Sequence, residues 1–204
     1  MARRTIVDHY ARQARHQHYV SRAVYKLKAI DEKYQLFGPG QRVLDLGCSP
    51  GSWLQYLGPR VGPTGLVVGI DRQPLAIDIA PPLYFIPGDL EDLDLEQVKS
   101  LSPDFDAVLS DMAPATSGIR DVDHQRSLNL ARLAWQWAQE LLRPGGHFLV
   151  KVFEGPDFPE LVKQVRLQFN RTHIVKPAAS RSESREIYLL GWGRRKQQDF
   201  NRQA

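Results

Sequence analysis

Apolar and polar positions alternate along the chain in segments that predict strands and helices in turn. In the stretch RVLDLGCSPGSW, residues 42–53, an apolar run passes directly into a glycine-containing turn and then into a helical pattern. Gly47 and Gly51 permit backbone angles and a close ligand approach that a side chain would block. Pro50 suits a first helical turn. The stretch therefore predicts a buried strand, a sharp bend and the start of a helix.

Six further apolar segments predict the other strands of a sheet, at residues 65–71, 84–86, 105–112, 147–153, 172–175 and 186–191. Helical patterns lie between most of them, which is typical of an α/β fold with a largely parallel sheet covered on both faces. The last two strands have no helix between them. We therefore expect them to pair as an antiparallel hairpin at the edge of a seven-stranded sheet.

The same pattern predicts the domain boundaries. Residues 1–18 are rich in arginine and lack apolar periodicity, which predicts a mobile N-terminal arm. Residues 194–204 form a basic C-terminal tail. Residues 19–193 then form a single domain, as the length of the chain favours.

Two lysines are candidates for a functional role. Lys151 interrupts an apolar strand, where burying an unpaired charge costs several kcal/mol, so it needs a partner or a chemical role. Lys26 lies on the polar side of a helix that is expected to begin at a Ser21 cap and to end at the Gly-Pro-Gly turn of residues 38–40. A solvated helix lysine is the plain alternative for Lys26.

Three acidic residues, Asp71, Asp89 and Asp111, stand at the ends of predicted strands. Because the carboxyl ends of parallel strands meet at one edge of a sheet, these side chains are expected to border a site for a nucleotide-like ligand. Asp71 follows Gly51 by about 20 residues, the interval at which a carboxylate takes a ribose hydroxyl pair. In sites of this shape an acid such as Asp89 can accept a hydrogen bond from an adenine amine.

The glycine pattern distinguishes between nucleoside cofactors. A dinucleotide fingerprint would need glycine at positions 49 and 52, which hold Ser49 and Ser52, and no phosphate-binding P-loop motif is present. The remaining glycines, preceded by Asp45, favour S-adenosylmethionine over NAD. A hydride-transferring dehydrogenase remains as the enzyme alternative.

Composition excludes some classes of protein, and charge suggests a partner. The single cysteine, Cys48, cannot form an internal disulfide or a cysteine-rich metal centre, and we expect no metal site. No apolar run approaches the roughly 18 residues of a membrane span. The net charge of +4 is segregated into +6 over residues 1–28, −9 over 29–162 and +7 over 163–204. If the two basic ends share a face, they form a surface suited to a phosphate backbone, and two solvated tails are the alternative.

The motifs DLGCSPGSW, GID, PGDL, SDMAP, LVKVFEG and SRSESREIY follow one another in this order. With them the chain resembles the FtsJ/RrmJ family of S-adenosylmethionine-dependent RNA ribose 2′-O-methyltransferases over about residues 21–193. The resemblance implies a Rossmann-like class I methyltransferase fold. It implies a Lys-Asp-Lys-Glu tetrad that falls on Lys26, Asp111, Lys151 and Glu186. It also implies a cofactor site that contains Gly51, Trp53, Asp71, Asp89 and Asp111.

The resemblance further implies methylation of a uridine ribose in large-subunit ribosomal RNA, within the ribosomal subunit, by a cytoplasmic monomer with no membrane partner. Relatives that modify transfer RNA share the same motifs and leave that substrate open. A non-catalytic RNA-binding assembly factor that keeps the cofactor site is the alternative from another class, and the presence of all four tetrad residues argues against it. Adenine methylation fits poorly because Asp111 leads into Met-Ala-Pro-Ala without an aromatic residue. Pyrimidine C5 methylation fits poorly because Cys48 lies within the cofactor turn.

Overall fold

The computed structural model describes residues 2–180 and 184–196, with side chains from residue 9 onward. The helices in this part of the chain are α1 (Ala2–His16), α2 (Val24–Tyr34), α3 (Ser52–Val61), α4 (Leu95–Lys99), α5 (Arg120–Leu141) and α6 (Phe158–Gln168). The strands are β1 (Arg42–Leu46), β2 (Leu66–Asp71), β3 (Leu83–Pro87), β4 (Phe105–Ser110), β5 (Leu142–Phe153), β6 (Phe169–Val175) and β7 (Glu186–Arg194). Within these described residues, no helix is long and apolar enough to cross a membrane.

The seven strands form one sheet in the order β3-β2-β1-β4-β5-β7-β6. Strands β1 to β5 are parallel to one another, whereas β7 is antiparallel to both β5 and β6. The predicted α/β fold, with its antiparallel C-terminal hairpin at the sheet edge, is confirmed. The strand order reverses between β1 and β4, so the carboxyl ends of these two strands form the crevice in which open α/β sheets bind ligands.

Helices cover both faces of the sheet, and the buried apolar side chains divide into two clusters. On one face, α2 and α3 pack against strand residues that include Leu149 and Tyr188. On the other face, α5 and α6 pack against residues that include Phe148 and Val150. Consecutive side chains of a strand point to opposite faces, which is why Phe148 and Leu149 belong to different clusters.

The helix α1 was not predicted from the sequence. It lies on the α2 side of the sheet, where Ala14 is buried and the Tyr10 ring lies 5.5 Å from that of Tyr25. Because few of its side chains are apolar, these contacts leave little periodicity in the sequence. The assignment of residues 1–18 as an arm outside the domain stays a prediction, and residues 197–204 of the predicted tail lie outside the described residues.

Several element boundaries differ from the prediction. Helix α2 begins at Val24 rather than directly after Ser21, whose hydroxyl accepts a hydrogen bond from the Ala23 amide at 3.1 Å. Pro50 precedes α3 rather than lying in its first turn, because Gly51 takes the position before the helix. Strand β5 begins at Leu142, since the Pro-Gly-Gly segment after it continues the strand instead of separating it from α5.

Gly51 has a φ of +110°, and a Cβ atom there would lie 2.7 Å from Cδ1 of Ile77. We predict that Gly51→Ala lowers the free energy of unfolding by about 1–2 kcal/mol for the left-handed backbone and by a further 1–3 kcal/mol or so for the collision. Gly118 has a φ of +82° with open space around it, so Gly118→Ala is expected to show the backbone cost alone. Urea denaturation measures both, and equal losses would contradict a steric role for Ile77.

Candidate active site

A cleft of about 420 Å³ opens at the carboxyl ends of β1, β2 and β4. It is the crevice expected from the strand order. Its walls combine glycine backbone, carboxylates and apolar side chains, a composition that suits a ligand with both polar and apolar parts. The lining residues used below are Gly47, Ser49, Asp71, Asp89, Asp111 and Met112.

Gly47 directly follows β1 and lines the cleft. Its φ is +79°, and its amide donates to the carbonyl of Ile70 at 2.8 Å. A Cβ atom at this position would collide with the side chain of Met112, which follows β4. The lack of a side chain therefore lets the β1 turn and the end of β4 approach each other across the cleft.

Asp71 ends β2 and is held by backbone amides. One oxygen, Oδ2, accepts from the Ser49 amide at 2.9 Å, and Oδ1 accepts from the Gln73 amide at 2.8 Å. Each carboxylate oxygen has a second lone pair, so both can accept another hydrogen bond. The predicted acid thus lies on the cleft wall in a fixed orientation.

Asp89 also lines the cleft and lies in the loop after β3. Its Oδ1 accepts from the Glu91 amide at 3.1 Å, and Arg72 donates to Oδ2 at 3.2 Å. The side chain remains about a third exposed, so it can still reach a ligand in the cleft.

The other two predicted cofactor residues do not line this cleft. Gly51 is buried where α3 begins. Trp53 is also buried, and its indole N–H donates to the carbonyl of Ala23 at 3.0 Å. The indole ring lies 6.3 Å from the ring of Tyr188. In this structure Trp53 joins α3 to the start of α2, and a cofactor role for both residues stays a prediction.

The four residues of the predicted tetrad lie together beside the cleft in two ion pairs. Lys151 Nζ lies 2.9 Å from Asp111 Oδ1 and also donates to the backbone carbonyl of Asp111. Lys26 Nζ lies 2.7 Å from Glu186 Oε1. All four side chains are largely buried, which strengthens their mutual attraction.

Tyr188 completes this network and was missed by the sequence analysis. Its hydroxyl donates to Asp111 Oδ1 at 2.6 Å. Burial and the nearby carboxylates of Asp111 and Glu186 raise the pKa of Tyr188 well above its ordinary value, so the donor keeps its proton. A signal was available, because Tyr188 follows Glu186 by two positions in a strand and therefore shares its face.

Asp111 is held in its charged form by these neighbours. Burial alone would raise its pKa, but the positive charges of Lys151 and Lys26 and the hydrogen bond from Tyr188 outweigh burial and lower the pKa. Lys26 therefore acts on Asp111 although it pairs with Glu186, which shows that the two ion pairs are neighbours. Asp111 belongs to both the cleft wall and the lysine network.

Comparison with known proteins agrees with this geometry. A family model described as FtsJ-like methyltransferase matches residues 19–194. The chain belongs to the FtsJ-like methyltransferase family. This confirms the resemblance found in the sequence, and the match spans the sheet together with α2, which carries Lys26.

Individual relatives cover nearly the whole chain. A Syntrophobacter fumaroxidans protein named ribosomal RNA large subunit methyltransferase E is 46% identical over 195 residues, which are 94% of this chain and 98% of that protein. A Coxiella burnetii protein of the same name is 46% identical over 90% of this chain and 89% of its own. A crystal structure assigned as a ribosomal RNA methyltransferase from Plasmodium falciparum matches with a TM-score of 0.76 at 30% identity, over 86% of this chain and 98% of that one.

In this FtsJ-like chain, α5 fixes the end of β5 just beyond Lys151. His124 donates from Nδ1 to the carbonyl of Phe153 at 2.8 Å, and the Ser127 hydroxyl accepts from the Phe153 amide at 3.0 Å. A Cβ atom at Gly155 would collide with the His124 ring. These contacts hold the backbone that positions Lys151. The sequence analysis did not predict these contacts.

Asp45 is a further buried acid of the FtsJ-like chain. It lies in β1, only 1% exposed, and neither carboxylate oxygen has a hydrogen-bond partner among the described residues. Burial and the charges of Asp111 and Asp71 raise its pKa well above the ordinary value. Asp45 and Asp111 are thus shifted in opposite directions within one site.

These opposite shifts predict opposite effects of pH on stability. Because the pKa of Asp111 is lowered on folding, its ionised form stabilises the protein above the unfolded pKa of about 3.9, and this is lost as pH falls through the folded pKa. Asp111→Asn is therefore expected to be less stable than the wild type at pH 7. The difference should shrink as pH falls below about 4.

Asp45→Asn should behave in the opposite way. Because the folded state holds the Asp45 proton more tightly than the unfolded state, wild-type stability falls as pH rises above about 4, and a residue that cannot ionise avoids this loss. The variant should gain stability relative to the wild type between about pH 4 and pH 7. Urea midpoints over this range test both variants, and parallel pH profiles for the two would contradict the assignment.

Proposed function

We propose that this protein transfers a methyl group from S-adenosylmethionine to a ribose 2′-hydroxyl of RNA, and that its substrate is a uridine of large-subunit ribosomal RNA. One observation carries the proposal: Asp111 both lines the cleft and holds Lys151. The group that acts on the acceptor thus lies next to the place for the donor, as a direct transfer requires. Relatives named ribosomal RNA large subunit methyltransferase E support the choice of substrate.

The residues of the cleft fit S-adenosylmethionine. Asp71 offers free lone pairs to a ribose hydroxyl pair, and Asp89 offers them to an amine, as expected from their places at the ends of neighbouring strands. The close approach at Gly47 leaves backbone rather than a side chain beside the ligand. When bound, the cofactor supplies an activated methyl group on a sulfonium.

The remaining chemistry concerns the acceptor hydroxyl, which is a poor nucleophile at neutral pH. Lys151 is the group placed to act on it. An ammonium has three N–H donors, and Asp111 takes two of them through its carboxylate and its backbone carbonyl. The third can hold the acceptor oxygen. Lys26 and Glu186 form the second pair, which keeps a positive charge near Asp111.

Lys151 can act in either of two roles, and each accounts for the proton that the hydroxyl loses. As a neutral amine, Lys151 accepts this proton while the acceptor oxygen forms its bond to the methyl carbon and the bond from that carbon to sulfur breaks. As an ammonium, Lys151 donates to the oxygen and the proton leaves to water. The contacts with Asp111 position Nζ in both cases. In the second role Lys151 stays the ammonium that pairs with the Asp111 carboxylate.

We further propose that the RNA substrate is presented within the large ribosomal subunit and that the protein acts as a cytoplasmic monomer. The basic ends of the chain, with net charges of +6 and +7, supply the attraction for phosphate that the acidic middle lacks. A transfer RNA substrate and a non-catalytic assembly role remain the alternatives. Mapping the labelled nucleotide after methyl transfer to ribosomal subunits distinguishes all three.

Asp71→Ala should weaken S-adenosylmethionine binding by about 1–3 kcal/mol, because a charge-assisted hydrogen bond is lost. Calorimetry without RNA measures this directly. Asp94→Ala is a matched control, since Asp94 is an acid that caps α4 and does not line the cleft. Equal affinity of Asp71→Ala and wild type, or binding of NAD in place of S-adenosylmethionine, would contradict the cofactor assignment.

Lys151→Ala should lower methyl transfer by roughly 10² or more while the affinities for cofactor and RNA stay near those of the wild type. A substrate with 2′-deoxyribose at the target should bind and accept no methyl. Near-normal turnover by Lys151→Ala, or methylation of the deoxy substrate, would exclude the mechanism.

The Lys151→Arg variant distinguishes the two roles of Lys151. A rate that rises with pH in the wild type, together with an inactive Arg variant, identifies proton acceptance, because arginine stays charged. A pH-independent rate with a partly active Arg variant identifies a charged donor. Single-turnover rates across the pH range give both readings.

A further inference from the structure

Two stacks of similar composition lie on the α2 face of the sheet, outside the catalytic network. In the first, Lys33 Nζ lies 5.2 Å from the centre of the Tyr34 ring, which in turn lies 4.8 Å from the ring of His173. In the second, the Arg171 guanidinium lies 5.6 Å from the Trp192 ring, whose other neighbour is His147 at 5.5 Å. Each stack therefore combines a cation, a large aromatic ring and an imidazole.

The strand register places the two stacks side by side. Arg171 and His173 are alternate residues of β6, so they share a face, and Arg171 pairs directly with Trp192 of β7. Tyr34 ends α2 and reaches His173. The stacks therefore join the helical N-terminal part of the chain to its C-terminal hairpin.

The surface formed by these residues is remote from the catalytic lysine but lies on the same face of the sheet. His147 precedes Lys151 on β5 by about 13 Å at 3.3 Å per residue. The two positions lie an even number of residues apart, so both side chains point toward α2. An RNA chain bound at Lys151 is long enough to reach both places.

The cations of these stacks are not neutralised. Lys33 and Arg171 are exposed, and neither forms an ion pair with a carboxylate among the described residues. Lys196, which follows β7, is likewise exposed without such an ion pair, and Arg195 is half-buried without one among the described residues. His147 is neutral in character, because burial and the nearby Arg143 charge lower its pKa and its Nδ1 accepts from the Gly193 amide at 3.2 Å. Charge and flat rings thus occur together with no partner of opposite charge in this part of the chain.

We propose that Lys33, Tyr34, His173, Arg171, Trp192 and His147 form a second RNA-contacting surface, which binds an unpaired stretch of the substrate RNA away from the methylated ribose. This inference rests on the proposed function. Unpaired nucleotides are recognised by aromatic and arginine planes that stack on bases and by cations that contact phosphates. Both kinds of group are present here. An acidic protein would use the cations but would leave the rings without a role.

The test uses a pair of substitutions with a matched control pair. Lys33→Gln with Arg171→Gln removes two exposed cations from the surface. Lys163→Gln with Arg166→Gln removes two exposed cations from α6, which packs on the opposite face of the sheet. Steady-state methyl transfer to ribosomal subunits is measured at several salt concentrations for the wild type and both pairs.

The surface pair is expected to raise KM about tenfold or more with kcat unchanged. The plot of log affinity against log salt should become less steep by roughly 0.9 for each lost phosphate contact. The control pair should match the wild type. Equal effects of the two pairs would show that exposed cations on either face attract RNA equally, without a defined surface, and would overturn the proposal. A surface pair that matches the wild type would also overturn it. If the wild type itself transfers no methyl to RNA, the proposed function fails first.

A fluorescence measurement tests the stacking directly and needs no catalysis. Trp192 is half-buried, whereas Trp53, Trp135 and Trp137 are at most 5% exposed, so a single-stranded oligonucleotide should quench chiefly Trp192. The quenching should disappear in Trp192→Phe and should be much smaller with duplex RNA. Quenching that persists in Trp192→Phe, or that duplex RNA produces equally, would overturn the assignment to unpaired RNA.

Discussion

The buried ion pair between Lys151 and Asp111 is the constraint on which the rest of the site depends. A lysine in the middle of an apolar strand costs several kcal/mol unless a carboxylate compensates it. Asp111 does so only while it stays ionised, although it is itself buried. Lys26 and the hydroxyl of Tyr188 keep it ionised, and Glu186 balances Lys26. Removal of any one of the four charged members leaves a buried charge uncompensated, and removal of Tyr188 takes a hydrogen bond from Asp111, so the five side chains form one unit.

The topology of the sheet explains why this unit lies beside the cleft. Asp111 directly follows β4, the strand at which the order reverses, and so it reaches both the crevice and the neighbouring strand β5. Lys151 comes from β5, and Glu186 and Tyr188 come from the antiparallel β7 paired with it. The C-terminal hairpin therefore contributes two of the five side chains of the network. A sheet that ended at β5 would leave Lys151 with Asp111 alone.

Much of this arrangement could be predicted from the sequence, and the failures have physical causes. All seven strands and the acids at their ends follow from apolar runs, because burial leaves a pattern in the chain. The grouping of Lys26 with Glu186 in one tetrad came only from the family resemblance, and their ion pair came from the structure, since nothing local joins residues so far apart. The hydrogen bonds from Trp53 to Ala23 and from His124 to Phe153 are also contacts between residues far apart in the sequence. Helix α1 was missed because few of its residues are apolar, so its sequence shows little periodicity.

The charges of the proposed catalytic network cancel, so the residues proposed for the chemistry differ from those that attract RNA. Lys26 and Lys151 are matched by Glu186 and Asp111, and the cleft adds Asp71 and Asp89, so the site itself cannot attract a polyanion. Attraction for RNA must come from other cations, and the sequence has its excess of positive charge in residues 1–28 and 163–204. Because Lys33 and Arg171 lie outside that network, we expect changes in these two cations to act on binding and changes in the network to act on the rate of transfer.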